Sequence, residues 1–257
     1  MSCYNVIGTM SGTSLDGLDI AYCTFKLIEN KWSFKINSSL TTNFTKQLLK
    51  ELTESKSLNG LDLMKLHNEL GNFIGVSIAD FIKSNNIDRN KIDCIASHGH
   101  TVFHQPEINL TTQIGNGATI SALTKLPVIC DFRTTDVALN GQGAPLVPIG
   151  DKLLFSEYDY CINLGGIANL SYEENETIIA FDICPVNIVL NKLSVELGKP
   201  YDKNGDLAKS GKVNYALLEE LNKLDSNWAL AGNGGGGTKI RNLIIRISDK
   251  HGSNTKR

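Results

Sequence analysis

The chain has 257 residues, of which 41% are hydrophobic, so it can bury a sizeable core as one large domain or as two lobes. Its 25 basic and 27 acidic residues nearly balance, which excludes a long-range electrostatic attraction to nucleic acid or to an anionic membrane surface. The sequence shows no basic leader segment, no window as long as a membrane span and no Cys-x-x-Cys pair, so a cytoplasmic protein with six buried thiols is predicted.

The first part of the chain alternates between strand-like and helix-like segments. Residues 3–9, 17–27 and 32–43 are rich in β-forming residues and are separated by turn-forming stretches, which predicts a three-stranded antiparallel meander. Helical spacing follows at 45–54 and 61–84, where apolar residues recur on one face. The apolar stripe of the second helix consists of Leu61, Leu63, Leu66, Leu70, Phe73, Ile74, Ile78 and Phe81.

Shorter elements follow, and a second meander is expected from residue 159 onward, formed by YCINLGG, IANLSYEE and TIIAFD. The other predicted elements are strands at 92–96, 111–115 and 127–131 and helices at about 116–125 and 187–197. Pro and Gly break the pattern at Pro148 to Lys152, which predicts an N-terminal lobe of residues 1–150 and a C-terminal lobe of residues 151–257.

Both meanders carry a glycine-rich bend after an apolar first strand, GTMSGTSLDG at 8–17 and NLGG at 163–166. This repeat predicts duplicated lobes that face each other across a cleft. Neither bend has the spacing of a Walker A or a GxGxxG loop. Backbone amides and hydroxyls in such bends can bind phosphate oxygens, whereas the alternative is a tight hairpin turn that needs glycine only for its geometry. The pairing of the two bends favours the anion site.

Three histidines, His98, His100 and His104, follow the predicted strand at 92–96. Their spacing allows a metal site, but zinc needs three or four ligands with supporting contacts around them. His98 and His100 are expected to share one strand face, with His104 beyond a bend. A polar strand end that faces a small-molecule ligand is therefore the favoured interpretation.

Arg133 follows a predicted buried strand in CDFRTTD. Its guanidinium can either bind a carboxylate of a ligand or pair with Asp131 or Asp136. The segment GQGAPLVP at 141–148 is expected to be a rigid loop that connects the lobes, lines the site, or does both.

Asp182 ends a predicted strand, where its carboxylate is either a general base or a cap for the helix that follows.

YDKNGDLAKSGK at 201–212 lacks the features of a phosphate loop and is predicted to join two helices. AGNGGGGTKIRN at 231–242 places four glycines between an apolar strand and a helix start, which suits close passage of a backbone by adenosine or phosphate. The alternative there is a flexible linker.

Five ordered segments, GTMSGTSLDGLD, SHGHTVFHQP, CDFRTTDVALNGQGAPLVP, NLGGIANL and YDKNGDLAKSG, together resemble the anhydro-N-acetylmuramic acid kinase family, from about residue 4 to residue 224. The resemblance implies an α/β fold of two actin-like (ribonuclease H-like) lobes, with mixed sheets flanked by helices and a central cleft. It also implies ATP-dependent hydrolytic opening of the 1,6-anhydro ring with phosphorylation at O6, which gives N-acetylmuramic acid 6-phosphate and ADP during peptidoglycan recycling.

The same resemblance assigns roles to residues. Asp182 matches the catalytic aspartate and would take a proton from the water that attacks the anomeric carbon. Asp16 is expected to hold Mg²⁺ through water. The residues expected around ATP are Gly8, Thr9, Met10, Ser11, Gly12, Thr13, Ser14, Asp16, Asn163, Gly165, Gly166, Gly234, Gly235 and Gly236. Those expected around the amino sugar are His98, Gly99, His100, Arg133, Gly143, Ala144 and Pro145, with Arg133 on the lactyl carboxylate.

The sequence also departs from the family pattern. Ile183, Cys184 and Val186 stand where the family mostly has Thr, Gly and Gly, and the second lobe is shorter, so the chain is either an abbreviated relative or an incomplete sequence. A catalytically impaired sugar- or nucleotide-binding relative and a kinase for an ordinary sugar are the alternatives to the active kinase. Dimers are common in such kinases, so a homodimer is allowed, although no segment marks an interface.

Overall fold

The computed structural model describes residues 1–12, 15, 17–144 and 146–223, and the chain divides into two compact units, Met1–Ser156 and Glu157–Arg257. The first unit contains the strands β1 (Ser2–Ser11), β2 (Leu18–Ile28), β3 (Lys31–Thr42), β4 (Cys94–Ser97), β5 (His100–Gln105), β6 (Leu110–Ile114) and β7 (Val128–Cys130). Its helices are α1 (Lys46–Glu54), α2 (Gly60–Ser84), α3 (Gly117–Thr124), α4 (Thr134–Ala138) and α5 (Leu146–Leu154), with single 3₁₀ turns at Ser55–Ser57, Arg89–Lys91 and Pro106–Ile108.

The main sheet of the first unit has five strands in the order β3-β2-β1-β4-β7. β1, β2 and β3 form the predicted antiparallel meander, which is confirmed. β4 and β7 extend it as parallel strands, since β1 pairs with β4 and β4 pairs with β7 in parallel register. The sheet is therefore mixed, and helices flank it, as the α/β prediction requires.

Helix α2 packs its apolar stripe against one face of this sheet. The buried residues of the stripe are Leu66, Leu70, Ile74, Ile78 and Phe81, and they share a core with Ile7 of β1 and Ile95 of β4. Leu63 and Phe73 are partly buried against this core. The inclusion of Leu61 was wrong: it is 68% exposed, because it lies in the first turn of α2, away from the sheet.

The predicted strand at 111–115 forms, but it does not join the main sheet. β6 instead pairs with β5 as an antiparallel hairpin. Val102 of β5 and Ile114 of β6 are buried in the same core as α2, so the hairpin packs against the unit through its apolar side chains.

Residues 146–154 form the helix α5, so Pro148 and Gly150 do not break the chain pattern there as predicted. Pro148 is tolerated because it is the third residue of the helix, where its missing N–H costs no intrahelical hydrogen bond. Phe155, directly after α5, contacts Phe34 of β3 edge to face, with ring centroids 5.5 Å apart. The assignment of residues 1–150 and 151–257 to two actin-like lobes stays a prediction.

The second unit contains β8 (Tyr160–Leu164), β9 (Ile167–Glu174), β10 (Thr177–Pro185), α6 (Asn187–Glu196), α7 (Asp206–Ser210) and α8 (Tyr215–Lys223), with a short 3₁₀ segment at Lys203–Gly205. Its three strands lie in the order β10-β9-β8 and are antiparallel, which confirms the second meander and the helix after it. The segment 201–212 joins α6 to α8, as predicted, and contains the short helix α7.

The prediction of six buried thiols was wrong. Cys3, Cys130 and Cys184 are exposed, and Cys23, Cys94 and Cys161 are half-buried. Within the described residues, no helix combines the length and the apolar character needed to cross a lipid bilayer.

Candidate functional site

Three strands of the main sheet end at the same edge. β1, β4 and β7 run parallel to one another, so the segments that follow Ser11, Ser97 and Cys130 leave the sheet together. In open α/β sheets ligands bind outside the carboxyl ends of parallel strands. His98 and Arg133, which were predicted to contact the sugar, lie directly beyond β4 and β7 at this edge.

Arg133 joins two of the predicted segments. Its Nε donates to Nε2 of His98 at 2.9 Å, and its Nη1 donates to the carbonyl oxygen of Gly143 at 2.8 Å. Within the described residues it forms no salt bridge with Asp131 or Asp136, so the ion-pair alternative was wrong. Asp131 accepts instead from the hydroxyl of Thr134. Within the described residues, the positive charge of the half-buried guanidinium is therefore not paired with a carboxylate.

His98 lies in the tight turn between β4 and β5, so it does not share a strand face with His100 as predicted. Its Nε2 accepts from Arg133, and guanidinium nitrogens only donate, so the ring proton is on Nδ1, 3.1 Å from the carbonyl oxygen of Gly99. Burial lowers the pKa of His98, the hydrogen bond to Gly99 raises it and the charge of Arg133 lowers it. The result is a neutral ring with a defined tautomer.

The loop at 141–144 is held by helix α4. Oδ2 of Asp136 accepts from the backbone N–H of Gly143 at 2.6 Å, and the carbonyl oxygen of Asp136 accepts from Gly141 at 2.7 Å. Gly143 has a φ of +65°, so a left-handed residue closes the loop and turns its carbonyl toward Arg133. The exposed Ala144 follows, and the predicted Pro145 lies outside the described residues.

The role of Asp136 was missed, because it was weighed only as a partner for Arg133. An acidic residue shortly before a Gly-x-Gly turn is a signal that could have identified it, since Asp side chains accept hydrogen bonds from nearby turn amides.

His100 and His104 both lie on β5, and a register shift between Thr101 and Phe103 separates them. His100 is only 5% exposed, and its Nδ1 lies 3.1 Å from the hydroxyl of Ser11. Nδ1 of His104 lies 3.2 Å from the hydroxyl of Thr111. Burial lowers the pKa of both rings. In the described ranges, no group of three or more His, Cys, Asp or Glu side chains is arranged to hold a metal ion.

The first glycine bend begins later than predicted, because β1 continues through Ser11. Gly8 and Thr9 pair with β2 on one side and with β4 on the other, so they belong to the sheet ladder. The buried hydroxyl of Thr9 donates to Ser97 at 3.1 Å, and the hydroxyl of Ser11 contacts His100. These residues are part of the sheet, and their predicted contacts with ATP stay predictions.

Beyond β1, the amide of Leu15 donates to the carbonyl oxygen of Gly12 at 3.2 Å. Met10, another predicted nucleotide contact within β1, has an exposed thioether side chain. Thr13, Ser14 and Asp16 lie outside the described residues, as do Gly234, Gly235 and Gly236. Contacts of these residues with ATP or Mg²⁺ therefore stay predictions.

The second glycine bend joins β8 to β9 in the second unit. The carbonyl oxygens of Gly165 and Gly166 accept hydrogen bonds from the amides of Asn187 and Val186, at 3.3 and 2.9 Å, at the start of α6. The bend thus satisfies amides that a helix start leaves without intrahelical partners. Asn163 is an exposed residue of β8, and its predicted contact with nucleotide stays a prediction.

Asp182 lies near the end of β10, opposite Asn169 of β9, and a β-bulge follows it. The N-cap of α6 is Val186, which has no side-chain cap, so the helix-cap alternative for Asp182 was wrong. Its side chain is exposed, and partial desolvation raises the pKa of the carboxyl. Such a shift moves a carboxylate toward the range in which it accepts protons near neutral pH.

A family model described as Anhydro-N-acetylmuramic acid kinase matches residues 4–242. The protein of that name from Acinetobacter baylyi is 39% identical over 225 residues, covering 84% of this chain and 58% of the relative. The one from Bacillus thuringiensis is 34% identical over 229 residues, covering 83% and 60%. YeaZ from Pseudomonas aeruginosa, a solved structure, aligns over 72% of this chain and 68% of its own at 9% identity and a TM-score of 0.23.

The fold, together with the polar cluster of His98, Arg133 and Gly143, defines an α/β protein with a mixed five-stranded sheet flanked by helices and a candidate ligand site at the carboxyl edge of its parallel strands. The chain belongs to the anhydro-N-acetylmuramic acid kinase family, since the family model matches most of its length. This confirms the resemblance and supports the actin-like class. The chain spans 58–60% of the length of the curated relatives it matches.

Proposed function

We propose that this chain catalyses ATP-dependent hydrolytic opening of the 1,6-anhydro ring of anhydro-N-acetylmuramic acid and phosphorylates O6, which gives N-acetylmuramic acid 6-phosphate and ADP in peptidoglycan recycling. The observation that carries the proposal is the family match over residues 4–242. The covered length of the relatives is partial, so activity has to be measured on this chain. We place the reaction in the cytoplasm.

In this proposal Asp182 is the general base. Its raised pKa and its freedom from the helix cap support the role. The carboxylate takes a proton from the water that attacks the anomeric carbon, and the bond from that carbon to O6 breaks. O6 then attacks the γ-phosphoryl group of ATP, with Mg²⁺ expected to neutralise the charge.

Arg133 is the residue proposed to bind the lactyl carboxylate of the sugar. Two of its five N–H donors are used by His98 and Gly143, and Nη2 has no partner within the described residues. A half-buried guanidinium with free donors suits a planar carboxylate, because the two can form parallel charge-assisted hydrogen bonds.

A second candidate function is binding of the sugar without turnover. It is supported by the ladder pairing of Gly8 and Thr9, since backbone groups engaged in the sheet leave fewer donors for phosphate. The replacement of Thr and Gly by Ile183 and Cys184 beside Asp182 points the same way. A kinase for an ordinary sugar is the third candidate.

The test measures ADP release and sugar phosphate formation with anhydro-N-acetylmuramic acid, and calorimetric binding of the sugar in parallel. We expect Asp182→Asn to lower kcat at least about a hundredfold, with sugar affinity retained. Asp159→Asn, which changes an exposed carboxylate of the same unit, is the control and should keep full activity.

Sugar binding without ADP release in the unmutated chain would favour the binding function over the kinase. Turnover of ordinary hexoses, without ring opening, would favour the third candidate. Equal turnover by the unmutated chain and Asp182→Asn would exclude Asp182 as the base.

A further inference from the structure

The guanidinium of Arg133 is held from two directions. His98 accepts from Nε at 2.9 Å, and the Gly143 carbonyl accepts from Nη1 at 2.8 Å. These contacts come from different segments, the β4–β5 turn and the loop that Asp136 closes. Both hydrogens of Nη2 lack a partner within the described residues. The two contacts at Nε and Nη1 therefore fix the orientation of the guanidinium and leave Nη2 available to a ligand.

The acceptor on His98 is itself fixed. The carbonyl of Gly99, 3.1 Å from Nδ1, keeps the ring proton on that nitrogen, so that Nε2 presents a lone pair to Arg133. Gly99 has a φ of +69°, and a Cβ at this position would lie 2.2 Å from the carbonyl oxygen of Ile114. The turn that carries His98 thus has a backbone that only glycine adopts without strain.

We propose that His98 is a positioning residue that holds Arg133 through its Nε2 lone pair. Arg133 is thereby kept in the orientation that binds the carboxylate of the substrate. His98 in this way sets the preference for a carboxylate-bearing amino sugar. This inference rests on the proposed function, because it takes the muramic sugar as the ligand. His98 itself need not touch the sugar. It limits the rotamers of Arg133 before binding, which lowers the entropy lost when the complex forms.

Two substitutions separate this role from simple packing. His98→Leu fills part of the space of the ring but removes the hydrogen-bond acceptor, whereas His98→Gln offers an amide oxygen as acceptor in its place. A hydrogen bond to a charged group is worth about one factor of ten in a binding constant. We expect His98→Leu to weaken binding of the carboxylate-bearing sugar about tenfold and His98→Gln to restore most of that loss.

The experiment measures calorimetric binding of two sugars to the full chain. These are anhydro-N-acetylmuramic acid and 1,6-anhydro-N-acetylglucosamine, which lacks the lactyl carboxylate. His98→Leu should weaken binding of the first sugar and leave binding of the second unchanged. In an Arg133→Met background, His98→Leu should have no further effect, because the group it positions is gone. Circular dichroism checks that each variant is folded.

Equal weakening of both sugars, or equal effects of the Leu and Gln variants, would overturn the proposal. An additive effect in the Arg133→Met background would do the same. If the unmutated chain releases ADP with the muramic sugar but shows no preference between the two sugars, the positioning role fails while the proposed function stands.

A measurement without sugar tests the geometry itself. Nitrogen-15 NMR of the histidine rings should show His98 as the neutral Nδ1–H tautomer, and Arg133→Met should raise its pKa by removing a nearby positive charge. An Nε2–H tautomer in the unmutated chain would overturn the inference even if neither sugar binds. Failure of sugar binding with the Nδ1–H tautomer present would contradict the sugar assignment, and with it the specificity role.

Discussion

Gly99 is the residue on which the β4–β5 turn depends most directly. Its φ of +69° lies in the left-handed region, and a Cβ there would lie 2.2 Å from the carbonyl oxygen of Ile114. The backbone at Ile114 would have to move to accept a side chain, and Ile114 is buried in the core of the first unit. We expect Gly99→Ala to lower the free energy of unfolding by about 2 kcal/mol or more, measured by urea denaturation of the full chain.

Gly60→Ala is the matched control for this substitution. Gly60 is the first residue of α2, its φ is not positive, and a Cβ there would meet no atom within 4 Å. Alanine at such a site restricts the unfolded chain without straining the folded one. An unchanged or slightly raised urea midpoint is expected. A similar loss in both variants would show that the backbone at Gly99 is not under special constraint.

The family pattern identifies the residues of the polar cluster but not the contacts among them. His98, Arg133 and Gly143 were all named as sugar residues, because the family pattern identifies positions. Which atoms meet depends on the turn at Gly99 and on the loop held by Asp136, and these bring residues together that lie 35 and 10 positions apart in the chain. Spacing along the sequence does not specify such distances.

Helix α2 contributes six buried residues to the core of the first unit, Leu66, Leu70, Ile74, Ile78, Phe81 and Ile82. Ile78 is fully buried in this core, whereas Val76, two residues earlier, is 46% exposed. Ile78→Ala removes buried methyl groups and leaves a cavity, so we expect a loss of about 2–5 kcal/mol in the free energy of unfolding. Val76→Ala on the same helix should stay within about 0.5 kcal/mol.

Urea denaturation followed by far-UV circular dichroism measures both variants. Equal losses at the two positions would contradict the assignment of the buried face. A loss at Ile78 below the range for cavity formation would mean that the surrounding side chains collapse into the space.

The elements were predictable where their signal is local. The two meanders and the helices α1, α2, α3 and α6 follow from periodicities of two and about 3.6 residues, which the sequence displays directly. The extension of β1 through Ser11 was missed, because it depends on pairing with β2 along its whole length. Helix α5 was missed because Pro148 was taken as a break, although the first turn of a helix accepts proline.

At the scale of the whole molecule, the histidines connect stability to pH. Burial is the main cause that lowers the pKa of His67, His98, His100 and His104 below the ordinary value of 6.5. The unfolded chain therefore binds more protons than the folded chain when the pH falls below about 6.5. The folded state is therefore favoured by the neutral histidines above about pH 6.5, and this contribution to the free energy of unfolding is lost as the pH falls below that value. Asp182 acts in the opposite sense, because desolvation raises the pKa of its carboxyl: its contribution to the free energy of unfolding is lost as the pH rises above the ordinary value of 3.8.

We expect the urea concentration at the unfolding midpoint of the full chain to decrease when the pH is lowered from 7.5 to 5.5. His100→Asn removes one of the four groups and keeps a polar partner for Ser11, so its midpoint should start lower but fall less over the same range. The comparison isolates the proton linkage from the loss of packing, because packing shifts the midpoint at every pH while linkage changes its slope. A midpoint that rises toward pH 5.5, or identical slopes in the two proteins, would contradict the assignment of a neutral, buried His100 to the folded state.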